Sequence, residues 1–542
     1  MSTKKSKNNF MIQGSILAIA SVLVRLIGVV YRVPLTNIIG DEGISNYQNA
    51  YNAYSIILIV SSYSLPLAIS KTISVRLDNK EYKNADRIFK ASLLYAVVVG
   101  GLAAILCYAF APVIAPNASS VLPLRLLAPT IFLCAILSVF RGYFQGHQTM
   151  IPTSISQIVE QIINAIISVL AAYLLVRSYK AADDYDNVYI YGAAGGVLGT
   201  GAGVIAGLIF MVFVFMLYRN IRLKKIKRDK SKNIMSYGTI IRILVLTVTP
   251  VIISAVLNNC TNYIENKMFF SVTSTLGYDE AVAKQMHGVY AGKYSMFVHL
   301  PTGIATALAS SMIPSISVSF AKNDLNETRK KAGAVIKFVS IIAFPSMIGL
   351  SVLSGPIMQL IFHDSSKLAS NLLLYGSCII IVYSLSSITT SVLQGIDRLY
   401  VPMKHCAISL VLYVITTYVV LRYFEWSIYG LIVSMFLFGA NNTILNFISI
   451  KKYLNYKQEK KNTFFVPLVS AIGMGIMVFG IYQLTHLAFH SNLISVVLSI
   501  IIGAITYFVL LLLLGGLSEQ EIMDFPKGRK LVSLCKKVGL LS

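Results

Sequence analysis

Carboxylates are scarce in this sequence. Of 542 residues, 22 are Asp or Glu against 46 Lys or Arg, and the charged fraction of 13% is about half that of an ordinary soluble domain. A centre built on paired acids therefore has few places to form, and only Glu160 and Glu265 fall well inside apolar runs. Cysteine is sparse too: Cys107, Cys134, Cys260, Cys378, Cys406 and Cys535 show no CxxC and no paired spacing, so neither a disulfide framework nor a zinc site is implied. P-loop, GxSxG and HExxH patterns are missing, which removes the usual signatures of nucleotide hydrolysis, serine acyl transfer and zinc proteolysis. Connections between apolar runs are too short to hold a soluble catalytic domain. Transport, not enzymatic catalysis, is the expected class.

What the chain has in abundance is apolar surface, 56% of residues with a mean hydropathy of +0.71. It reads as an all-α polytopic membrane protein. A net charge of +24 suits either nucleic acid or the cytoplasmic face of a membrane protein, and the distribution of that charge favours the membrane, with no nucleic-acid partner. Lys4, Lys5 and Lys7 precede an apolar run that is too long for a signal-peptide core and lacks a small-residue cleavage site, so it reads as a retained first span.

Runs long enough to cross the hydrocarbon core occur at 11–35, 47–75, 87–115, 121–146, 152–176, 189–218, 239–270, 285–320, 330–361, 369–396, 402–423, 427–450, 464–488 and 491–516. These predict about 14 transmembrane helices. Connections after even-numbered runs are basic, as with Arg219 through Lys232 and Lys451 through Lys461, whereas those after odd-numbered runs carry Asp41, Glu42, Asp184, Asp279 and Asp364. By the positive-inside rule both termini are cytoplasmic.

The sequence also repeats itself. Gln145-Gly146 followed by Pro152 recurs as Gln394-Gly395 followed by Pro402, and Ile73-Ser74-Val75 recurs as Ile316-Ser317-Val318 in the same order. Two six-helix lobes are expected, 1–218 and 239–450, joined by a basic cytoplasmic linker at 219–238 and related by a pseudo-twofold axis along the membrane normal. Two C-terminal helices at 451–516 and an amphipathic cytoplasmic tail at 517–542 complete the chain. Such an architecture places a substrate site between the lobes near the midplane.

Within the first span Arg25 and Arg32 are seven residues apart, nearly on one face of a helix. A guanidinium facing lipid is costly, so this face is expected to border a polar cavity; the alternative is that Arg32 snorkels to the headgroups. Lys293 lies early in the eighth span. Glu160 with Asn164, and Glu265 with Asn258 and Asn262, are the intramembrane polar candidates for coupling to a monovalent cation or proton, or for balancing cavity charge. Each has a plainer reading as a polar group satisfied by a neighbouring helix. Gly195, Gly199, Gly203 and Gly207, at four-residue spacing, predict close helix packing.

The two arginines followed by Pro34 and Gly40, the Gln-Gly ends of the fourth and tenth spans, and the Phe525-Pro526-Lys527-Gly528 tail together resemble the multidrug/oligosaccharidyl-lipid/polysaccharide exporter superfamily. The likeness is to its polysaccharide-flippase branch, that of the stage V sporulation protein B-like and MurJ-type lipid II flippases. The resemblance implies a cationic cavity for a pyrophosphate-linked sugar headgroup, a groove on the two added helices for its polyprenyl tail, and cell-wall synthesis proteins as partners. Arg25 and Arg32 match the family's first-helix arginines and Lys293 matches an eighth-helix arginine. The second span, NAYNAYSIILIVSSYSLPLAIS, lacks the arginine of the Gram-negative-type proteins and looks like the Gram-positive branch. The drug exporters of the superfamily, a different substrate class, usually stop at twelve spans.

Overall fold

The computed structural model describes residues 2–63, 65–229, 231, 234–519 and 521, together with 532, 533 and 536. Most of the amphipathic tail expected at 517–542 thus lies outside the described residues. Every described element is helical. Eleven stretches among the described residues are long and apolar enough to span a membrane, and one of them, Leu23–Asp78, runs from within the first expected span through the whole of the second.

The chain folds into two compact units, Met1–Gly292 and Lys293–Ser542. In the first unit, α1 (Ser2–Leu58) contains Pro34 and is broken at Gly40, whose φ of 70° is the left-handed conformation that glycine tolerates at little cost. A π-turn at Ile59–Tyr63 leads into α2 (Leu65–Asp78). There follow α3 (Tyr82–Ala109), the short α4 (Ala111–Ile114), α5 (Val121–Gly146), α6 (Ile151–Ala181) and α7 (Tyr185–Leu217). The basic linker forms α8 (Arg219–Arg228), and α9 (Tyr237–Thr275) and α10 (Glu280–Gly288) close the unit.

A second π-turn, Val289–Tyr294, leads to α11 (Ser295–Ala321). Next come α12 (Leu325–Val352), α13 (Ser354–Phe362), α14 (Lys367–Gly376), α15 (Ile379–Gly395), α16 (Tyr400–Arg422) and α17 (Ser427–Leu454). After a third π-turn at Lys461–Phe465 the chain ends in α18 (Val466–Phe489) and α19 (Asn492–Leu513). The ninth and tenth runs, continuous in hydropathy, are each divided: α12 from α13 at Leu353, and α14 from α15 at Ser377 and Cys378.

The repeated motifs meet each other in the same way in both units. A Cβ added at Gly146 would come within 2.8 Å of Ile73 Cγ2, and one at Gly395 within 2.8 Å of Ile316 Cγ2. The residues paired by the sequence repeat are therefore the two halves of one packing joint, built twice. The glycine ridge on α7 also packs as expected. A Cβ at Gly199 or Gly203 would lie 2.5 Å from the backbone oxygens of Asn164 or Glu160 on α6, closer than atoms can stand, so only glycine admits this approach.

Candidate anion-binding face and polar interior

On α1, Arg25, Gly28 and Arg32 occur at spacings of three and four and so share one face. Arg25 is exposed and Arg32 half-buried. Between them, the side chain that Gly28 lacks leaves room for the Gln161 amide of α6, whose Nε2 lies 3.3 Å from where a Cβ would stand. The Arg32 guanidinium lies beside the phenols of Tyr31, Tyr47 and Tyr51. These rings are themselves ordered: the Tyr31 and Tyr47 hydroxyls are 3.4 Å apart and the Tyr47 and Tyr51 rings stack at 6.0 Å. A planar, permanently charged guanidinium held by neutral phenols keeps its charge and its fork of donors for an oxyanion.

Deeper in the same unit, Glu160 does not stand alone. Its Oε2 accepts a hydrogen bond from Arg141 Nη2 at 2.6 Å, and Arg141 Nε donates to Ser156 Oγ at 3.0 Å. The sequence pattern counted Arg141 among the basic residues of a connection; the structure sets it inside α5, largely buried, as the counter-ion of a membrane carboxylate. The signal was available in the position of Arg141, five residues before the end of an apolar run. Ser168 Oγ lies 3.0 Å from Asn164 Oδ1 within α6 and 2.7 Å from the Gly196 carbonyl oxygen of α7, so the Ser168 hydroxyl, shared with Asn164, ties α6 to α7.

On α9, Glu265 is buried and Asn262 half-buried, while the side chain of Asn258 lies outside the described residues. The next residue, Asn266, belongs to a network that sequence reasoning missed. Its Oδ1 is 3.0 Å from His287 Nε2, and His287 Nδ1 is 3.0 Å from Ser45 Oγ, all three residues being buried. Both ring nitrogens of His287 are thereby committed to neutral partners.

In the second unit Lys293 is buried, and its Nζ donates to Asp364 Oδ2 at 2.5 Å. Asp364, in the turn before α14, also accepts from the Ser366 backbone N–H at 2.8 Å. Burial alone would raise its carboxyl, but the hydrogen bonds from Lys293 and Ser366 outweigh this and hold it below the ordinary carboxylate range. Sequence reasoning treated Asp364 only as a marker of sidedness, and its pairing with Lys293 leaves the lysine less positive field for an anion than its isolated position in the sequence suggested.

The polysaccharide biosynthesis protein family model matches residues 12–320, more than half of the chain. The chain belongs to that family. A second model, MatE, matches residues 261–419, and the two together identify the chain as a flippase-type member of the multidrug/oligosaccharidyl-lipid/polysaccharide exporter superfamily. Among curated proteins it is 24% identical to the lipid II flippase MurJ of Bacillus subtilis over 495 residues, 88% of each chain. It is 24% identical to stage V sporulation protein B of the same organism over 66% of this chain and 68% of that one. The fold matches the lipid II flippase MurJ in an inward closed conformation, with a TM-score of 0.63 and 15% identity over 91% of this chain and 97% of that one. It also matches an inward-facing multidrug resistance MATE family transporter, with a TM-score of 0.64 and 14% identity over 80% and 94%. A polysaccharide-family protein of this kind is a multi-pass membrane flippase.

Proposed function

We propose that this chain moves a polyprenyl-pyrophosphate-linked saccharide from the inner to the outer leaflet of the plasma membrane by alternating access, and that the first candidate substrate is the peptidoglycan precursor lipid II. The observation that carries this reading is the face of Arg25, Gly28 and Arg32 on a membrane helix, open enough at Gly28 to admit the Gln161 amide. A pyrophosphate head loses its hydration in hydrocarbon and needs charge-assisted donors in its place. Two arginines one turn above and below a glycine supply them. In this reading Arg25, Arg32 and Lys293 bind the headgroup, α18 and α19 take the polyprenyl tail, and Glu265 with Asn262 and Asn258 is the candidate for coupling to a monovalent cation or proton. Glu160 and Asn164 serve as polar framework. The fourteen-span topology with cytoplasmic termini, the lobes at 1–218 and 239–450, and partners among cell-wall synthesis proteins belong to the same proposal, and the chain performs no bond-making chemistry of its own.

A second reading, a cation-coupled exporter of amphipathic drugs, draws support from the MatE match over 261–419. It calls for a carboxylate-dominated cavity, and the pairing of Glu160 with Arg141 weighs against it. A flippase for another lipid-linked polysaccharide unit would share the headgroup chemistry. The deciding experiment replaces an essential lipid II flippase with this chain and then depletes it. Growth before depletion, with lipid II accumulating on the inner leaflet afterwards, is the expected result. Failure to grow at normal membrane abundance, with a different lipid-linked intermediate responding to the chain, would overturn the lipid II assignment.

A further inference from the structure

The basic linker does more than join two parts of the chain. Arg222 Nε donates to Asp86 Oδ1 at 2.7 Å, the Lys83 backbone N–H donates to Asp229 Oδ2 at 2.6 Å, and the Met235 N–H donates to Asn84 Oδ1 at 3.0 Å. These bonds dock the linker on the first turns of α3. Docked there, α8 sets Lys225 at the edge of an open pocket of about 350 Å³ at the C-terminal ends of α5 and α7. One wall is apolar, made by Pro152, Val214 and Leu217; the other carries His147, Thr149 and Lys225. Leu217 is 67% exposed, so the apolar wall continues onto the outer surface of α7.

The charge of this wall is not cancelled. Asp86, the carboxylate in the adjoining cleft, is already held by Arg222 and by Lys90 at 3.0 Å. Lys225 Nζ, by contrast, has a hydroxyl for a partner, that of Tyr218 at 3.1 Å, and lies 5.7 Å over the same ring. His147 Nδ1 is 2.9 Å from the Tyr143 carbonyl and donates to it, which turns Nε2 away from that bond. Among the described residues that line the pocket, Lys225 is thus a cation without a carboxylate partner, beside an apolar strip. Burial, followed by the fields of Lys225 and Arg222, holds His147 below its ordinary range despite the Tyr143 bond, and a bound anion would reverse the electrostatic part of that shift.

We propose that this cavity is a binding site for the phosphate of an amphiphile, an anionic lipid whose headgroup meets Lys225 and His147 while its chain lies along Val214 and Leu217. The apolar strip distinguishes such a ligand from a free anion, and the lysine supplies a charge-assisted hydrogen bond to phosphate. The site is separate from the arginine face on α1, and its test does not depend on transport.

The experiment is native mass spectrometry of the full chain released from vesicles of phosphatidylglycerol and phosphatidylcholine in equal amounts, beside the variants Lys225→Gln, Lys225→Arg and Lys457→Gln. The wild type should retain phosphatidylglycerol, Lys225→Gln should weaken retention roughly fivefold to tenfold, Lys225→Arg should keep most of it, and Lys457→Gln, an exposed loop lysine of the second unit, should match the wild type. Equal retention by Lys225→Gln and wild type, with unchanged melting temperature, overturns the proposal. Two competition arms identify the source of the phosphate. Displacement by millimolar inorganic phosphate alone overturns the lipid assignment, whereas displacement by an undecaprenyl pyrophosphate supports the site and makes it a point of contact with the transported class of lipid.

Discussion

The two units keep the same joint and fill it with different polar chemistry. In the first, Gly146 of α5 rests on Ile73 of α2; in the second, Gly395 of α15 rests on Ile316 of α11. Four residues before each Gln-Gly stands Arg141 in one case and Thr390 in the other. Arg141 is ion-paired to Glu160 and bonded to Ser156. Thr390 Oγ1 instead accepts from Asn446 Nδ2 at 3.0 Å, Asn446 also bonds Thr389 at 3.2 Å, and Asn446 Oδ1 is 2.8 Å from His405 Nδ1. The two units therefore share shape at the glycine contact and differ in charge where polar side chains meet. Packing allows little freedom at a glycine contact, while a buried polar group needs only some satisfied partner, charged or neutral.

This contrast predicts where function concentrates, and the largest effect tests that directly. Arg25→Ala should reduce transport to background with membrane abundance nearly unchanged, because Arg25 is exposed and its loss leaves no hole. Arg25→Lys should restore transport only in part, since a point charge replaces a fork of donors. Complementation and immunoblotted membrane abundance, measured together, check both. Full activity in Arg25→Ala at normal abundance would remove this arginine from the headgroup site.

Next in size is the charge pair of the second unit. Asp364→Ala leaves Lys293 buried without its carboxylate and should lower stability by about 3 kcal/mol. Arg141→Met, in the more exposed pair of the first unit, should cost about 1–3 kcal/mol, between the exposed and buried limits. The Asp364 carboxyl is lowered in the folded protein, so its contribution is present above the unfolded carboxylate value of about 4 and is lost as pH falls through the lower folded one. Thermal unfolding in detergent should therefore show a constant gap between wild type and Asp364→Ala from pH 7 to pH 5 that narrows below pH 4. A gap that closes already at pH 6 would show that another group controls it.

Much of this was legible before any coordinates. The apolar runs marked where helices lie because bilayer thickness sets a length that composition must meet, and the Gln-Gly and Ile-Ser-Val repeats named both sides of a contact that each unit makes. That Arg25 and Arg32 share one face of α1 could be read from their seven-residue spacing. Partners could not. Nothing in spacing ties Lys293 to Asp364, Glu160 to Arg141, or Ser45 to His287 and Asn266, because each pair joins different helices and depends on how those helices turn. The break of α1 at Gly40 and the π-turn carrying Lys293 were hidden for a related reason: hydropathy averages over a turn and does not register where the backbone changes pitch.

The duplicated joint offers a sharper measure of the comparison. Gly146→Ala and Gly395→Ala each drive a methyl against an isoleucine at the same 2.8 Å, so each should cost about 1–3 kcal/mol by overpacking. The two losses should agree more closely with each other than with alanine substitution at Gly480, where a Cβ meets nothing within 4 Å. Removing the γ-methyl that the new methyl meets should relieve them: Gly146→Ala with Ile73→Ala, and Gly395→Ala with Ile316→Ala, should each cost less than the sum of its two single changes in a double-mutant cycle. Unequal losses, or no coupling in one of the cycles, would mean that the joint is shared in appearance and not in energy.

The smallest effect lies in the neutral network. Thr390→Val keeps the shape of the side chain and removes one of two hydroxyls that receive the Asn446 amide; the other, Thr389 Oγ1 at 3.2 Å, remains. Because Asn446 Nδ2 has a second acceptor for its other hydrogen, the loss should be about 1 kcal/mol, near the net worth of one hydrogen bond. Thr389→Val with Thr390→Val removes both threonine acceptors of the buried Asn446 Nδ2 and should cost more than the two single changes together. The Asn446 side chain would then be free to turn its Oδ1 away from His405 Nδ1, now 2.8 Å distant, and thermal unfolding of the two single variants and the double variant measures the coupling. A double variant that is merely additive would show that the threonines do not orient Asn446, and this hydrogen-bond network of the second unit would then lack the mutual dependence that the ion pair of the first unit has by necessity.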